Sequence, residues 1–259
     1  MVSYAPIIVP EISFLVLLKT ISNVNGKKIL NPNPKNVIAI ANSIIFSTKN
    51  DNPNPAAMEK VAKINVRLVF LASLLAIMRV IILDNPKIKN NIKQIVFMGG
   101  VGMSLGNITP VAEFNIYVDP HAADIVLNSG IPLVMMGLDV THKVMVNDEI
   151  IEDFKKNENK SSYFFADLMK FYSKFHRKLY EIDETPLHDP CVIAYLINSS
   201  LFKGKFVNVE VEKNSELTRG KTVVDWWGVT NKKANCYVMI EADHKQFFYL
   251  LSTELKKLN

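Results

Sequence analysis

Apolar residues run through this chain in blocks, and the spacing inside each block predicts its conformation. Ala5–Leu18, interrupted by Pro10 and Glu11, and Leu68–Leu83, which carries Arg79, predict buried strands passing into helices. Between them, Asn31–Pro34 and Asp51–Pro55 are turn-forming clusters that flank a predicted helix, Lys35–Ile45. From Gln94 onward the alternation is clearer. Gln94–Met98 predicts a strand broken by Gly99-Gly100, and Pro132–Leu138 a second, continuously apolar one. The intervening Pro120–Asn128, with Pro at its first position and Gly130 beyond its end, predicts a helix. Continuous apolar strands separated by a helix point to a parallel sheet covered on both faces.

The middle third reads as helical, over Glu149–Asn157 and Ser161–Tyr180. In the latter, Phe164, Leu168, Phe171, Phe175 and Leu179 form a stripe expected to face the core. Leu187-His-Asp-Pro-Cys191 opens a further apolar helix through Leu196, with Asp189 where an N-cap would sit and Pro190 at the first helical position. Strands are then predicted at Phe206–Val211, Thr222–Asp225 and Tyr237–Ile240, followed by an amphipathic helix, Asp243–Leu258. The fold class is α/β: one open domain over residues 1–259, with a mostly parallel central sheet flanked by helices.

One stretch breaks the apolar pattern. Gly106–Pro120 carries Asn107, Glu113 and Asn115 inside an otherwise apolar run. If Val111–Val118 is extended, Glu113 and Asn115 face one side and Ala112, Phe114 and Ile116 the other. Either this is a polar loop running into a strand, or it is a polyol site, because a carboxylate and two amides can bind adjacent hydroxyls as both donor and acceptor. For Asp189, helix capping and a functional role both stay open.

Composition narrows the setting. The chain has 259 residues, is 49% hydrophobic and has a formal charge of +5. Its lysines are scattered in pairs such as Lys27-Lys28, Lys155-Lys156 and Lys232-Lys233, which reads as a solvated surface rather than a nucleic-acid footprint. Two cysteines, Cys191 and Cys236, are too few for a disulfide framework or a zinc site. Neither apolar run is long enough to span a bilayer, and the first lacks a basic leader, so a cytoplasmic setting without a membrane is expected. Met98-Gly-Gly-Val-Gly102 hints at a dinucleotide loop but does not complete the Gly-x-Gly-x-x-Gly pattern.

A resemblance now becomes specific. In this order occur Ile95-Val-Phe-Met-Gly-Gly100, Gly106-Asn-Ile-Thr-Pro-Val-Ala-Glu-Phe-Asn115, Asp119-Pro120, Val134-Met-Met-Gly-Leu-Asp-Val-Thr-His142, His188-Asp-Pro-Cys191, and Leu217-Thr-Arg-Gly220 through Thr222-Val-Val-Asp-Trp-Trp-Gly228. Together they resemble the inosine–uridine-preferring nucleoside hydrolases, most strongly over residues 94–259. The resemblance implies hydrolysis of the N-glycosidic bond of ribonucleosides, a bound calcium ion and assembly into homo-oligomers, dimers or tetramers. It implies that Asn107, Glu113 and Asn115 hold the ribose hydroxyls. It further implies that His188 protonates the departing base, a role suited to an imidazole titrating near neutral pH. Asp189 and the Leu71 backbone carbonyl would be calcium ligands.

Residues 1–67 depart from the family. The expected Asp-x-Asp-Pro-Gly-x-Asp-Asp cluster is replaced by the apolar Ala5–Leu18 segment, in which Glu11 and Ser13 are the only polar groups. A Gly-Asn pair reads Gly26-Lys27, a Gly-x-Leu-Thr-Asn turn reads Ala72–Ala76, and a histidine-bearing flap is missing between Asn42 and Ala56. Because calcium takes six to eight oxygen ligands, the alternative expectation is a family member that keeps the fold and the ribose side but has weak or no catalysis, binding nucleosides or acting as an assembly partner.

Overall fold

A computed structural model describes residues 66–70, 82–84 and 86–258. The readings placed on Ala5–Leu18, Gly26-Lys27, Lys35–Ile45, Asn42–Ala56, Ala72–Ala76 and the Leu71 carbonyl lie outside them.

The main sheet joins β1 (Val66–Phe70), β2 (Ile92–Met98), β3 (Leu133–Met136), β6 (Phe202–Val211), β7 (Thr222–Asp225) and β8 (Cys236–Ala242) in the order β1-β2-β3-β8-β6-β7. The first four in that order pair in parallel, while β6 runs antiparallel to both β8 and β7. The short strands β4 (Met145–Val146) and β5 (Thr185–Pro186) pair antiparallel apart from it.

Strand periodicity builds two cores. On β2 and β3, Val96, Met98, Val134 and Met136 face one apolar cluster, while Ile95, Phe97, Leu133 and Met135 face the other. The first cluster is closed by α3 (Leu138–Thr141), α4 (Asp148–Lys155), α5 (Lys160–Tyr180), α6 (Pro190–Ile197) and α7 (His244–Lys256). The second is closed by α1 (Phe114–Val118) and α2 (Pro120–Leu127). Both faces are therefore covered, as the continuous apolar strands required.

Helix ends follow local chemistry. Asp119 accepts from the Ala122 N–H with Pro120 at the first position of α2, Asn147 and Asn159 cap α4 and α5, and Asp243 caps α7. Gly130, past the end of α2, has φ +80°. No helix among the described residues is long and apolar enough to cross a membrane.

Two local expectations are corrected. Val111–Val118 is not extended: α1 starts at Phe114 because the Glu113 side chain accepts from the N–H groups of Asn115 and Ile116 and nucleates a turn. The aromatic stripe on α5 is also misassigned. Phe164 and Phe171 are exposed, and the buried face carries Ser162, Ala166, Met169, Ser173 and His176. That face mixes small and large residues, and its hydroxyls are bonded to neighbouring segments, with Asn157 donating to the Ser162 hydroxyl and Thr185 donating to that of Ser173.

Where β6 meets β8, the register shifts between Lys203 and Gly204, and a Cβ on Gly204 would run into the Val238 carbonyl. Gly204→Ala is expected to destabilise the chain by roughly 1–3 kcal/mol. An unchanged urea-unfolding midpoint, followed by tryptophan fluorescence, would show that the close approach is no constraint.

Candidate active site

The chemistry-bearing residues gather at the carboxyl ends of the parallel strands, where open α/β sheets leave their crevice. Gly99-Gly100 follows β2. Gly100 has φ +80°, and a side chain there would meet Met135 Sδ at 2.9 Å and Thr222 Cγ2 at 3.0 Å. This left-handed turn aims the Gly100 N–H at Glu113 Oε2, 2.9 Å away. Glu113 Oε1 accepts from the Asn115 N–H at 3.0 Å, and Oε2 from that of Ile116 at 3.4 Å. Asn115 Nδ2 donates to the Met98 carbonyl at 3.2 Å, and no described residue bonds its Oδ1. Asn107 Oδ1 accepts from the Phe114 N–H at 2.9 Å, which ties the preceding loop to the same turn.

Glu113 is 2% exposed. Burial raises its pKa more than the three N–H bonds lower it, and the carboxyl is pushed up to about 7, with Asp189 adding like-charge repulsion. Asp189 precedes α6 in the N-cap position, but its side chain makes no capping bond, so the capping alternative fails. Its backbone is already helical, with φ −61° and ψ −36°, which turns the side chain away from the first N–H groups. Burial raises the Asp189 carboxyl to about 6. The fold thus brings two carboxyls from distant parts of the chain into electrostatic contact in a largely dry setting.

His188 sits beside them, with Nδ1 2.9 Å from the Thr141 hydroxyl and its ring centroid 5.7 Å from that of His142. Burial, with His142 and His176 adding to it, lowers its pKa to about 3. Desolvation thus favours the neutral imidazole over its cation, below the near-neutral range expected of a free histidine.

Several supporting residues were not singled out from the sequence, although the quoted motifs contain them. Asp139 Oδ2 accepts from the Gly102 N–H at 2.6 Å, and Oδ1 from those of Met103 and Ser104 at 2.9 and 2.7 Å. Burial raises its pKa, the N–H bonds outweigh that, and the carboxylate stays below its ordinary range. With Glu113, Thr222 and Asp139 taking the N–H groups of Gly100, Val101 and Gly102, and no helix beginning there, the dinucleotide reading fails. The Thr222 hydroxyl donates to the Val101 carbonyl at 2.6 Å, and Arg219 donates to the Tyr117 carbonyl at 2.7 Å. Much of the Leu217–Gly228 motif is thus a brace for the turn that holds Glu113.

Among the described residues, no three His, Cys, Asp or Glu side chains are grouped to hold a metal. Asp189 offers an uncapped carboxylate, whereas both Glu113 oxygens are already engaged by N–H groups. Calcium needs six to eight oxygens, so the described residues do not make a calcium site by themselves.

Compared with known families, residues 18–249 match the inosine-uridine preferring nucleoside hydrolases. The chain belongs to that family. It is 45% identical over 174 residues to the pyrimidine-specific ribonucleoside hydrolase RihA of Escherichia coli K12, covering 67% of this chain and 56% of the relative. With RihA of Salmonella arizonae the identity is 38% over 239 residues, 91% of this chain and 72% of the relative. The chain thus spans little more than half the length of the E. coli relative in that match. A purine-preferring ribonucleoside hydrolase from Gardnerella vaginalis superposes with a TM-score of 0.65 at 29% identity, covering 71% of this chain and 58% of that one. The plant nucleoside hydrolase PpNRh1 gives 0.63 at 28% identity, covering 70% and 59%.

The raised Asp189 carboxyl has a consequence for stability. A folded pKa above the unfolded value makes ionisation unfavourable to folding. The penalty is absent below the unfolded pKa of about 4, grows through about pH 6 and is complete above it. In chelator, Asp189→Asn is expected to be more stable than the parent at pH 8, by roughly 1–3 kcal/mol, with the difference vanishing near pH 4. Denaturant melts at both pH values check this, and a destabilised variant at pH 8 would contradict it.

Proposed function

We propose that this chain is a nucleoside N-ribohydrolase, converting a ribonucleoside and water to ribose and free base. The observation that carries the reading is the electrostatic influence of the half-buried Asp189 on the buried Glu113 carboxyl, which shares its turn with the buried Asn115. Such a site favours a ligand that supplies hydroxyl donors or positive charge. In this reading, ribose hydroxyls donate to Glu113 and bond the amides of Asn115 and Asn107. Water forms the new bond to the anomeric carbon and gives up a proton. The N-glycosidic electron pair leaves with the base, which gains one. An oxocarbenium-like centre developing at that carbon would be stabilised by nearby carboxylate charge, and His188 would stand at the departing base.

The relatives are named for pyrimidine and for purine nucleosides, so either base is a candidate substrate. A second reading, a family member that binds nucleosides without turning them over, is favoured by the lack of a metal-holding group among the described residues and by the apolar N-terminal segment. Calcium, which the resemblance implies, is the variable that separates the two.

Ribose release from inosine, uridine, adenosine and cytidine, with calcium or with a chelator, is the test. The hydrolase reading expects calcium-dependent release that falls on the order of a hundredfold in His188→Ala and Asp189→Ala. Thermal stabilisation by ribose without calcium, and no release above the chelated control, would establish the binding reading instead.

A further inference from the structure

Resting on the hydrolase reading for its catalytic meaning, the inference concerns how the imidazole of His188 is held. We propose that Thr141 is a positioning residue whose hydroxyl donates to His188 Nδ1 and so holds the ring with its proton on Nε2. Thr141 is fully buried at the end of α3. Its N–H is donated to the Gly137 carbonyl at 3.1 Å, and its own carbonyl accepts from Val144 at 3.1 Å. Its hydroxyl has one hydrogen-bond partner among the described residues, His188 Nδ1 at 2.9 Å.

That single contact can be satisfied in two ways, and burial decides between them. A hydroxyl carries one proton and two lone pairs. Were Nδ1 protonated, in the cation or in the Nδ1–H tautomer, the hydroxyl would accept and its own proton would be buried without a partner, which costs about 1–3 kcal/mol. With Nδ1 unprotonated, the hydroxyl donates and only a lone pair stays unused. The second arrangement wins, and the neutral ring then carries its proton on Nε2. Nε2 has no hydrogen-bond partner among the described residues. It is thereby a fixed N–H donor for an acceptor atom on the departing base, the electrophilic role that a neutral imidazole can fill. The same short helix carries Asp139, which holds the loop at Gly102–Ser104, so the imidazole and that loop share one support.

The experiment uses the full chain with ¹⁵N-labelled imidazoles and long-range proton–nitrogen correlation spectra, with His188 identified by its loss in His188→Gln. The parent is expected to show Nε2 protonated and Nδ1 bare. Thr141→Val should give a mixture of tautomers while the other histidine signals stay in place, and Thr141→Ser should restore the parent pattern. A protonated Nδ1 in the parent, or an unchanged pattern in Thr141→Val, overturns the proposal. In ribose-release assays Thr141→Val should lower kcat on the order of tenfold with little change in KM. The loss should be smaller on p-nitrophenyl riboside, whose leaving group departs as a stable anion. An equal loss on both substrates would assign Thr141 a purely structural part and overturn the positioning role. If the parent releases no ribose, the hydrolase reading fails, and the spectra alone decide the tautomer.

Discussion

A buried carboxylate that must be satisfied by backbone N–H groups organises this molecule. Glu113 accepts from Gly100 at the end of β2 and from Asn115 at the start of α1, so one side chain joins the sheet to the first covering helix. The geometry tolerates little change around it. Gly100 needs a left-handed backbone with no side chain, and a Cβ on Gly99 would already touch Ile116 and Glu113 itself. Those N–H bonds do not fully offset the cost of removing the carboxylate from water, which leaves it raised and repelled by Asp189. That residual repulsion is the feature on which the proposed sugar site rests.

The same economy recurs at Asp139, with the opposite outcome. Three N–H groups from consecutive residues saturate its carboxylate, its pKa falls, and the loop that follows β2 is locked. Two carboxylates that both accept from N–H groups of the segment after β2 therefore end in different states. Asp139 is spent on holding a loop, while burial leaves the Glu113 carboxyl raised. Thr222, Arg219 and Gly220 then buttress the turn from the far edge of the sheet, with Gly220 lying against the Tyr117 backbone. Residues conspicuous in the sequence as one motif are thus divided by the fold into those at the site and those that brace it.

The strands of the main sheet from β2 onward and most helices could be read from the chain because their causes are local. Alternation along β2 and β3, proline at the start of α2 and α6, and the asparagine and aspartate caps depend on residues only a few positions apart. The misreadings share one cause as well. The period of two around Glu113 looked extended, but a side chain closing onto its own following N–H groups made a helical turn. On α5 the bulky aromatics looked like the buried face, yet the face carrying Ala166, Met169 and His176 is the one that packs inward, and Phe164 and Phe171 face solvent. Periodicity marks which residues share a face, not how near the next layer will come.

By itself the sequence determined the α/β class, the family, and the identity of Asn107, Glu113, Asn115, His188 and Asp189 as the residues to follow. Only the tertiary structure decided their states. That Asp189 caps nothing, that burial raises Glu113 while N–H groups lower Asp139, and that Thr141 lies within hydrogen-bond reach of His188 all depend on desolvation and on contacts between distant parts of the chain, up to 121 positions apart as between Val101 and Thr222. Local pattern carries hydrogen-bonding capacity. Burial and long-range contact determine how that capacity is used, because the dielectric around a charge is a property of the packed molecule and not of its neighbours in the chain.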